Sequence, residues 1–215
     1  MADTLFARED AGAPERAAYG SSLVIWRPGG TEYECHEAIH RRRDQETFAE
    51  EAPPRDVIER VIETATWAPN HRLAEPWRFH VVGGARRVAM TDAIAREMEE
   101  SGATKGAVRS IRNKVLRAPV TIIVGQAAAG EEDETRARED YAACFAAIQN
   151  LLLAAHAEGL AAHLSTDRMI EYGATRRYLN LEIGDRTVAL INLGYLRAGT
   201  EPRQRTRRAV RWDWE

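Results

Sequence analysis

Lysine is nearly missing from this chain: Lys105 and Lys114 are the only two among 30 basic residues. An anion gripped by this protein is therefore held by forked, planar guanidinium groups, which match phosphate oxygens two at a time. Cysteine is scarce too. Cys35 and Cys144 stand far apart without the spacing of a metal pair, and read as free thiols. No run comes near the eighteen or so apolar residues that cross a bilayer. The opening MADTLFAREDAGAPER has no apolar signal core, so the expected location is the cytoplasm. Several catalytic signatures are missing as well. VVGGARR lacks the third glycine of the dinucleotide fingerprint, neither lysine completes a phosphate loop, and there is no nucleophile elbow. The six histidines, at 36, 40, 71, 80, 156 and 163, form no HExxH pair, so no metal is expected.

What is present suits a globular protein. With 215 residues, 44% of them apolar and 29% charged, the chain can bury one sizeable core. A net charge of −3 argues against a general nucleic-acid binder, in spite of an arginine-rich tail, and against a membrane-surface protein. Residues 1–33 have weak periodicity and read as an extension that wraps the domain or is partly mobile; residues 34–215 read as the domain itself.

Within that domain, residues 34–43 are helical in pattern. RDVIERVIETATWA carries Val57, Val61, Ile62 and Ala65 at helical spacing, bracketed by Pro53-Pro54 and Pro69. The loop WAPNHRLAEPW runs into the strand RFHVVGG, with Trp77 and Phe79 as core anchors. Residues 84–116 are helical with a break near Ser101-Gly102 and Gly106, and Val120–Val124 form a buried strand. Gly130–Glu139 reads as a solvated loop or first helical turn. From Tyr141 to Gly159 a long helix is apolar over most of its circumference, which requires burial at the centre of the fold or in a subunit interface. A short piece LAAHLST, a helix near 169–179 and the strand TVALINLGYL follow. The order is not strictly alternating, so the fold class is α+β: a mostly antiparallel sheet flanked by helices.

Two arginine sets are candidates for anion binding. Arg41-Arg42-Arg43-Asp44 ends a helical stretch, where basic groups also simply favour the helix dipole. Arg203, Arg205, Arg207 and Arg208 crowd the tail, and periodicity does not show whether the two sets converge. His71 sits on a loop with Asn70 and Arg72. His80 and His156 read as satisfied core or rim groups.

Five landmarks in order resemble the FMN-dependent nitroreductase family. They are Arg42-Arg43-Asp44 leading to Phe48 and Pro53, the loop APNHRLAEPWRFHVV, RAPVTIIV, AAIQNLLLAAHAEGL, and LINLGYL before the basic tail. They span about 35–211, and the loop is most similar to that of the compact nitroreductase subgroup. The resemblance implies an intertwined homodimer with two FMN sites at its interface and the long helix buried there. It also implies ping-pong chemistry, in which NADH or NADPH reduces the flavin and a nitroaromatic, quinone or similar acceptor is reduced in turn.

By position, Arg42 and Arg43 match the pair that holds the FMN phosphate and flavin edge, and Asp44 stands where a serine near the ribityl chain is usual. Asn70 and His71 match loop residues that reach the partner's flavin. Leu164, Ser165 and Thr166 match the segment against the isoalloxazine, where a backbone N–H toward N5 stabilises an electron-rich ring. Arg205 and Arg207 match a basic pair on the phosphate. Trp67, Leu73, Glu75 and Leu164 depart from the family pattern and leave the acceptor open. The departures at Leu73, Glu75 and Leu164 also suit an FMN-storage module without turnover. Arg-Arg-Asp followed by phenylalanine is similar to the flavin-cleaving dimethylbenzimidazole synthase, which the Asn70-His71 loop and tail fit poorly.

Overall fold

The computed structural model describes residues 24–25, 33–128, 134–166, 172–202 and 205. The chain falls into two compact units, Met1–His40 and Arg41–Glu215. In the first, β1 (Val24–Ile25) and β2 (Tyr33–Glu34) pair antiparallel and lead into α1 (Cys35–Arg41). The rings of His36 and His40, one helical turn apart, stack with centroids 6.4 Å from each other.

The second unit is organised by a four-stranded sheet in the order β3-β4-β6-β5, antiparallel at every contact. Its strands are β3 (Trp77–Gly83), β4 (Val120–Gln126), β5 (Ala161–Ser165) and β6 (Arg186–Gly194). All of β4 is buried, because helices cover both faces of the sheet. Successive side chains of a strand point to opposite faces, so Ile122 and Ile123 enter different cores. Ile122 and Val124 pack against α2 (Arg55–Ala65) and α5 (Glu134–Ala157). Ile123 and Leu190 pack against α3 (Gly84–Glu100) and α4 (Lys105–Leu116). The expected α+β class holds.

Helix α2 forms where the sequence indicated. Pro54 precedes its first turn without a side-chain cap, and Ile58, Val61 and Ala65 line its buried stripe. Exposed Arg55–Glu59 and Asp56–Arg60 pairs at 2.6 and 2.8 Å follow the i, i+4 rule and, screened by water, add little to stability. Helix α5 starts at Glu134, seven residues before Tyr141, and buries Ala143, Cys144, Ala147, Ile148, Leu151 and Ala155 within a single chain. It ends in a Schellman motif: Gly159 takes φ +76°, its N–H donates to His156 O, and the Leu160 N–H reaches back to Ala155 O at 2.8 Å. Among the described residues no helix is long and apolar enough to cross a membrane.

Two stretches are sharpened. The break expected near Ser101-Gly102 is there, at 101–104, and only Gly106 falls outside it, inside the first turn of α4. LAAHLST contains the strand β5, whose extended form comes from its neighbours: β6 on one side and the chain at Asp44–Gln45 on the other. The Gln45 N–H donates to Ala162 O at 2.9 Å, so this sheet edge is closed. The same crossing fixes Gly194, where a Cβ would meet Pro119 Cδ at 2.7 Å and Phe48 Cδ1 at 3.4 Å. Helix α6 (Gly173–Leu179) is capped from α3: the Glu97 carboxylate accepts the Gly173 and Ala174 N–H groups at 2.8 and 2.5 Å and binds Arg177 at 2.9 Å.

Candidate functional site

The edge of β5 gathers most of the residues singled out from the sequence. The chain from Arg42 to Phe48 runs beside it, bridged in parallel at Asp44–Ala162, and Phe48 bridges Leu196 beyond β6. Pairing on both sides of β5 then fixes which groups point where. Residues 162 and 164 turn their backbone groups outward: Ala162 O accepts from Gln45, and the Leu164 N–H donates to Asp44 Oδ1 at 3.1 Å. Asp44 Oδ2 lies 2.8 Å from His163 Nδ1, so both carboxylate oxygens are engaged.

Electrostatics follow from this packing. Burial alone would raise the Asp44 carboxyl. The His163 and Leu164 hydrogen bonds and the Arg42 charge outweigh it and hold the group below its ordinary value. Its contribution to folding is complete above the unfolded carboxylate range, near pH 4, and is lost as pH falls through the lower folded value. Arg42 is pulled below the usual arginine range, first by burial and then by the charges of Arg205 and Arg43, with Asp44 acting against them. The tail therefore brings Arg205 within electrostatic reach of Arg42. Arg207 lies outside the described residues. Arg43 donates from Nη1 to Arg42 O at 2.9 Å. A cavity of about 200 Å³ opens beside these arginines, walled by Arg42, Arg43, Gln45, His156, Leu160 and Leu196.

Loop 67–76 is built differently. Asn70 spans it, accepting the Glu75 N–H on Oδ1 at 2.9 Å and donating Nδ2 to Ala68 O at 3.2 Å. One Nδ2 hydrogen and one lone pair of Oδ1 are left over. Arg72, Leu73 and Glu75 take φ of 53°, 53° and 43°, a left-handed run without a glycine. His71 Nδ1 meets Glu139 Oε2 at 3.3 Å, tying the loop to the first turns of α5. Between them is a cleft of about 340 Å³ lined by His71, Arg72, Thr135, Arg136, Glu139 and Asp140. Trp77 is buried and Phe79 packs on the same core, as expected of anchors. Trp67 and Leu73 are 79% and 82% exposed.

Sequence reasoning missed the partner of His163. It lies 119 residues from Asp44, where no spacing rule looks. His80 corrects a second expectation. Its Nε2 is buried with no hydrogen-bond partner among the described residues, and burial lowers the imidazole below its usual range, so this half-buried group is left unsatisfied. Cys35 and Cys144 are free, as expected. Burial, followed by the nearby Asp140 carboxylate, pushes the Cys144 thiol up to about 12. Ser165 continues β5, and Thr166 follows it, exposed.

This architecture has known counterparts. The model of the Nitroreductase family matches residues 39–195. The chain is 31% identical over 172 residues to the protein named "Putative NAD(P)H nitroreductase YfhC" from Bacillus subtilis (strain 168), covering 78% of this chain and 87% of that one. The structure of a nitroreductase-like family protein from Bacillus cereus superposes with a TM-score of 0.70 at 27% identity, over 83% of this chain and 94% of that one. A Bacteroides fragilis nitroreductase solved with bound FMN shares the fold, with a TM-score of 0.66 at 20% identity over 81% and 94% of the two chains. With the family model matching well over half of its length, the chain belongs to the nitroreductase family.

Proposed function

We propose that the protein is an FMN-dependent NAD(P)H oxidoreductase that reduces a flat, electron-poor acceptor such as a nitroaromatic or quinone. The observation that carries the reading is the approach of Arg205 to Arg42. The charge of Arg205, drawn from a distant part of the chain, adds to burial in lowering the proton affinity of Arg42, an arrangement that a dianion relieves. The residues fit a phosphorylated flavin in other respects too. Guanidinium groups and an apolar wall share one cavity, and an open loop bearing exposed Trp67 and Leu73 offers surface for a planar ring. When bound, FMN supplies the redox chemistry, taking hydride from NADH or NADPH and passing reducing equivalents to the acceptor.

The chain's own residues bind and orient. Arg42, Arg205 and Arg207 hold the phosphate, and Arg43 the flavin edge. Asp44, its two oxygens each retaining acceptor capacity, takes ribityl hydroxyls. Leu164 offers its side chain, because its N–H is already given to Asp44. Strand alternation puts the next outward N–H at Thr166, which makes Thr166 the backbone donor toward the flavin, with Ser165 turned to β6. Asn70 and His71 use their remaining groups on the flavin of a second copy in a homodimer, and residues 34–215 act as the cofactor-binding domain behind a 1–33 extension.

An absorbance spectrum of the purified protein, followed by anaerobic titration with NADH and NADPH, tests the reading. The expected result is a flavin spectrum bleached by one nicotinamide and restored by a nitro or quinone acceptor. Colourless protein that takes up no added FMN refutes it, and bound flavin that neither nicotinamide bleaches supports a storage role.

A further inference from the structure

His163 has no part in the roles above, yet it is the least exposed member of the charged group at the β5 edge. Its side chain is 17% exposed against 43% for Asp44, and its Nδ1 lies 2.8 Å from Asp44 Oδ2. Among the described residues, charges near the pair include Arg42 on the Asp44 side and Glu46, with a carboxylate oxygen within 4.8 Å of the ligand atoms of both. Glu46 is itself bound by Arg117, just past α4, at 2.6 Å. On β6 the register neighbour of His163 is the neutral Asn192, which donates to Lys114 O. So Glu46 and Arg117 offset each other, and among these described residues the balance falls to Arg42, Asp44 and the imidazole.

A phosphate placed on Arg42 and Arg205 puts two negative charges on the Arg42 side of a carboxylate that Arg42 now offsets. Repulsion between Asp44 and the phosphate is the resulting cost. Imidazole exchanges a proton in the neutral range, so a proton on His163 would convert the Asp44–His163 pair from one net negative charge to none. We propose that this pair takes up a proton when the phosphate of FMN binds, coupling cofactor binding to protonation through His163. The proposal rests on the reading that the phosphate sits at Arg42 and Arg205. It goes beyond a tie between β5 and the 42–48 segment, because a tie alone moves no proton.

Calorimetric titration of the flavin-free full-length chain with FMN at pH 8, in two buffers of different ionisation enthalpy, counts the protons. At that pH the phosphate is already dianionic in solution, since its second pKa is near 6, so it releases none of its own. The expected result is uptake of a fraction of a proton with FMN and none with riboflavin, which lacks the phosphate. His163→Gln abolishes the uptake. Binding that takes up a fraction of a proton weakens as pH rises, so wild-type affinity falls by less than about tenfold per pH unit, while that of H163Q stays flat. Should H163Q fold poorly, Asp44→Asn serves instead, because it removes the carboxylate–phosphate repulsion that the proton relieves, and the uptake shrinks. FMN binding with the same proton count in wild type and both variants, or equal uptake with riboflavin, overturns the coupling. FMN that does not bind at all overturns the cofactor reading along with it, and the calorimeter tells this from binding without uptake.

Discussion

Asp44 and Asn70 each anchor one of two candidate regions, at the β5 and β3 edges of the sheet, and they do it with different chemistry. Asp44 is a half-buried carboxylate whose oxygens are answered by an imidazole and a strand N–H, among arginines. Asn70 is an amide that answers two groups of its own loop, and residues 71–75 after it stand in water. The charged side sits on a sheet edge closed by pairing, so its geometry is set by strands. The loop side is set by one side chain and carries three non-glycine residues in the left-handed region, at a cost of roughly 1 kcal/mol each. In the proposed function the first region holds an anion through electrostatics and the second offers an apolar rim through backbone strain. The two sides should respond to different perturbations.

The largest effect is expected from breaking the charged side. Arg42→Ala removes a charge-assisted contact to a dianion, worth about 1.5–3 kcal/mol, so FMN affinity drops roughly 10- to 100-fold in a fluorescence titration. The loss should shrink as salt is raised, because the wild-type contact is partly screened. Unchanged affinity would place the phosphate elsewhere and remove the contrast between the two sides.

Asn70→Ala tests the loop side and comes next. Two hydrogen bonds go, and the Glu75 N–H loses its acceptor, for about 1–2 kcal/mol. The expected signature is local: faster hydrogen exchange at the Glu75 amide and earlier proteolysis between 70 and 75, with FMN affinity less affected than in R42A. A global loss of stability equal to the local one would mean that the loop belongs to the core.

Most of the scaffold was legible because periodicity reports burial. Helix α2, the buried strand β4, and the α5 stretch ending at Gly159 are each set by local pattern and a local stop. Strand β5 was not, since AAHLS is short and alanine-rich and takes its form from partners at both edges. The Asp44–His163 contact joins residues 119 apart, and the left-handed run at Arg72, Leu73 and Glu75 has no glycine to announce it. Asp44 itself was found by resemblance, which gave its place but not its partner.

Leu73→Gly sharpens the comparison from the other direction. Glycine takes φ near 53° without the Cβ penalty, and Leu73 gives up almost no buried surface because it is 82% exposed. The variant should gain roughly 1 kcal/mol, about 2–4 °C in Tm by calorimetry, although the freer unfolded chain offsets part of this. If Tm falls instead, Leu73 makes a contact that outweighs its strain, and the natural place for it is a second copy of the chain.

Trp67→Ala has the smallest expected effect on the folded protomer and separates the two uses of the loop. Trp67 is 79% exposed and its one polar contact, Nε1 to Glu63 Oε1, is long at 3.5 Å. Its removal should change protomer stability by no more than about 0.5 kcal/mol in urea unfolding at low concentration. A ring kept in water at that exposure is retained for what it meets. If it meets a flat acceptor, W67A raises KM for aromatic acceptors and leaves KM for the nicotinamide nearly unchanged. If it meets a second copy, sedimentation shows weaker association and both KM values rise together. With neither change, the exposed rim has no role in recognition, and the charged edge at Arg42 and Asp44 defines the site by itself.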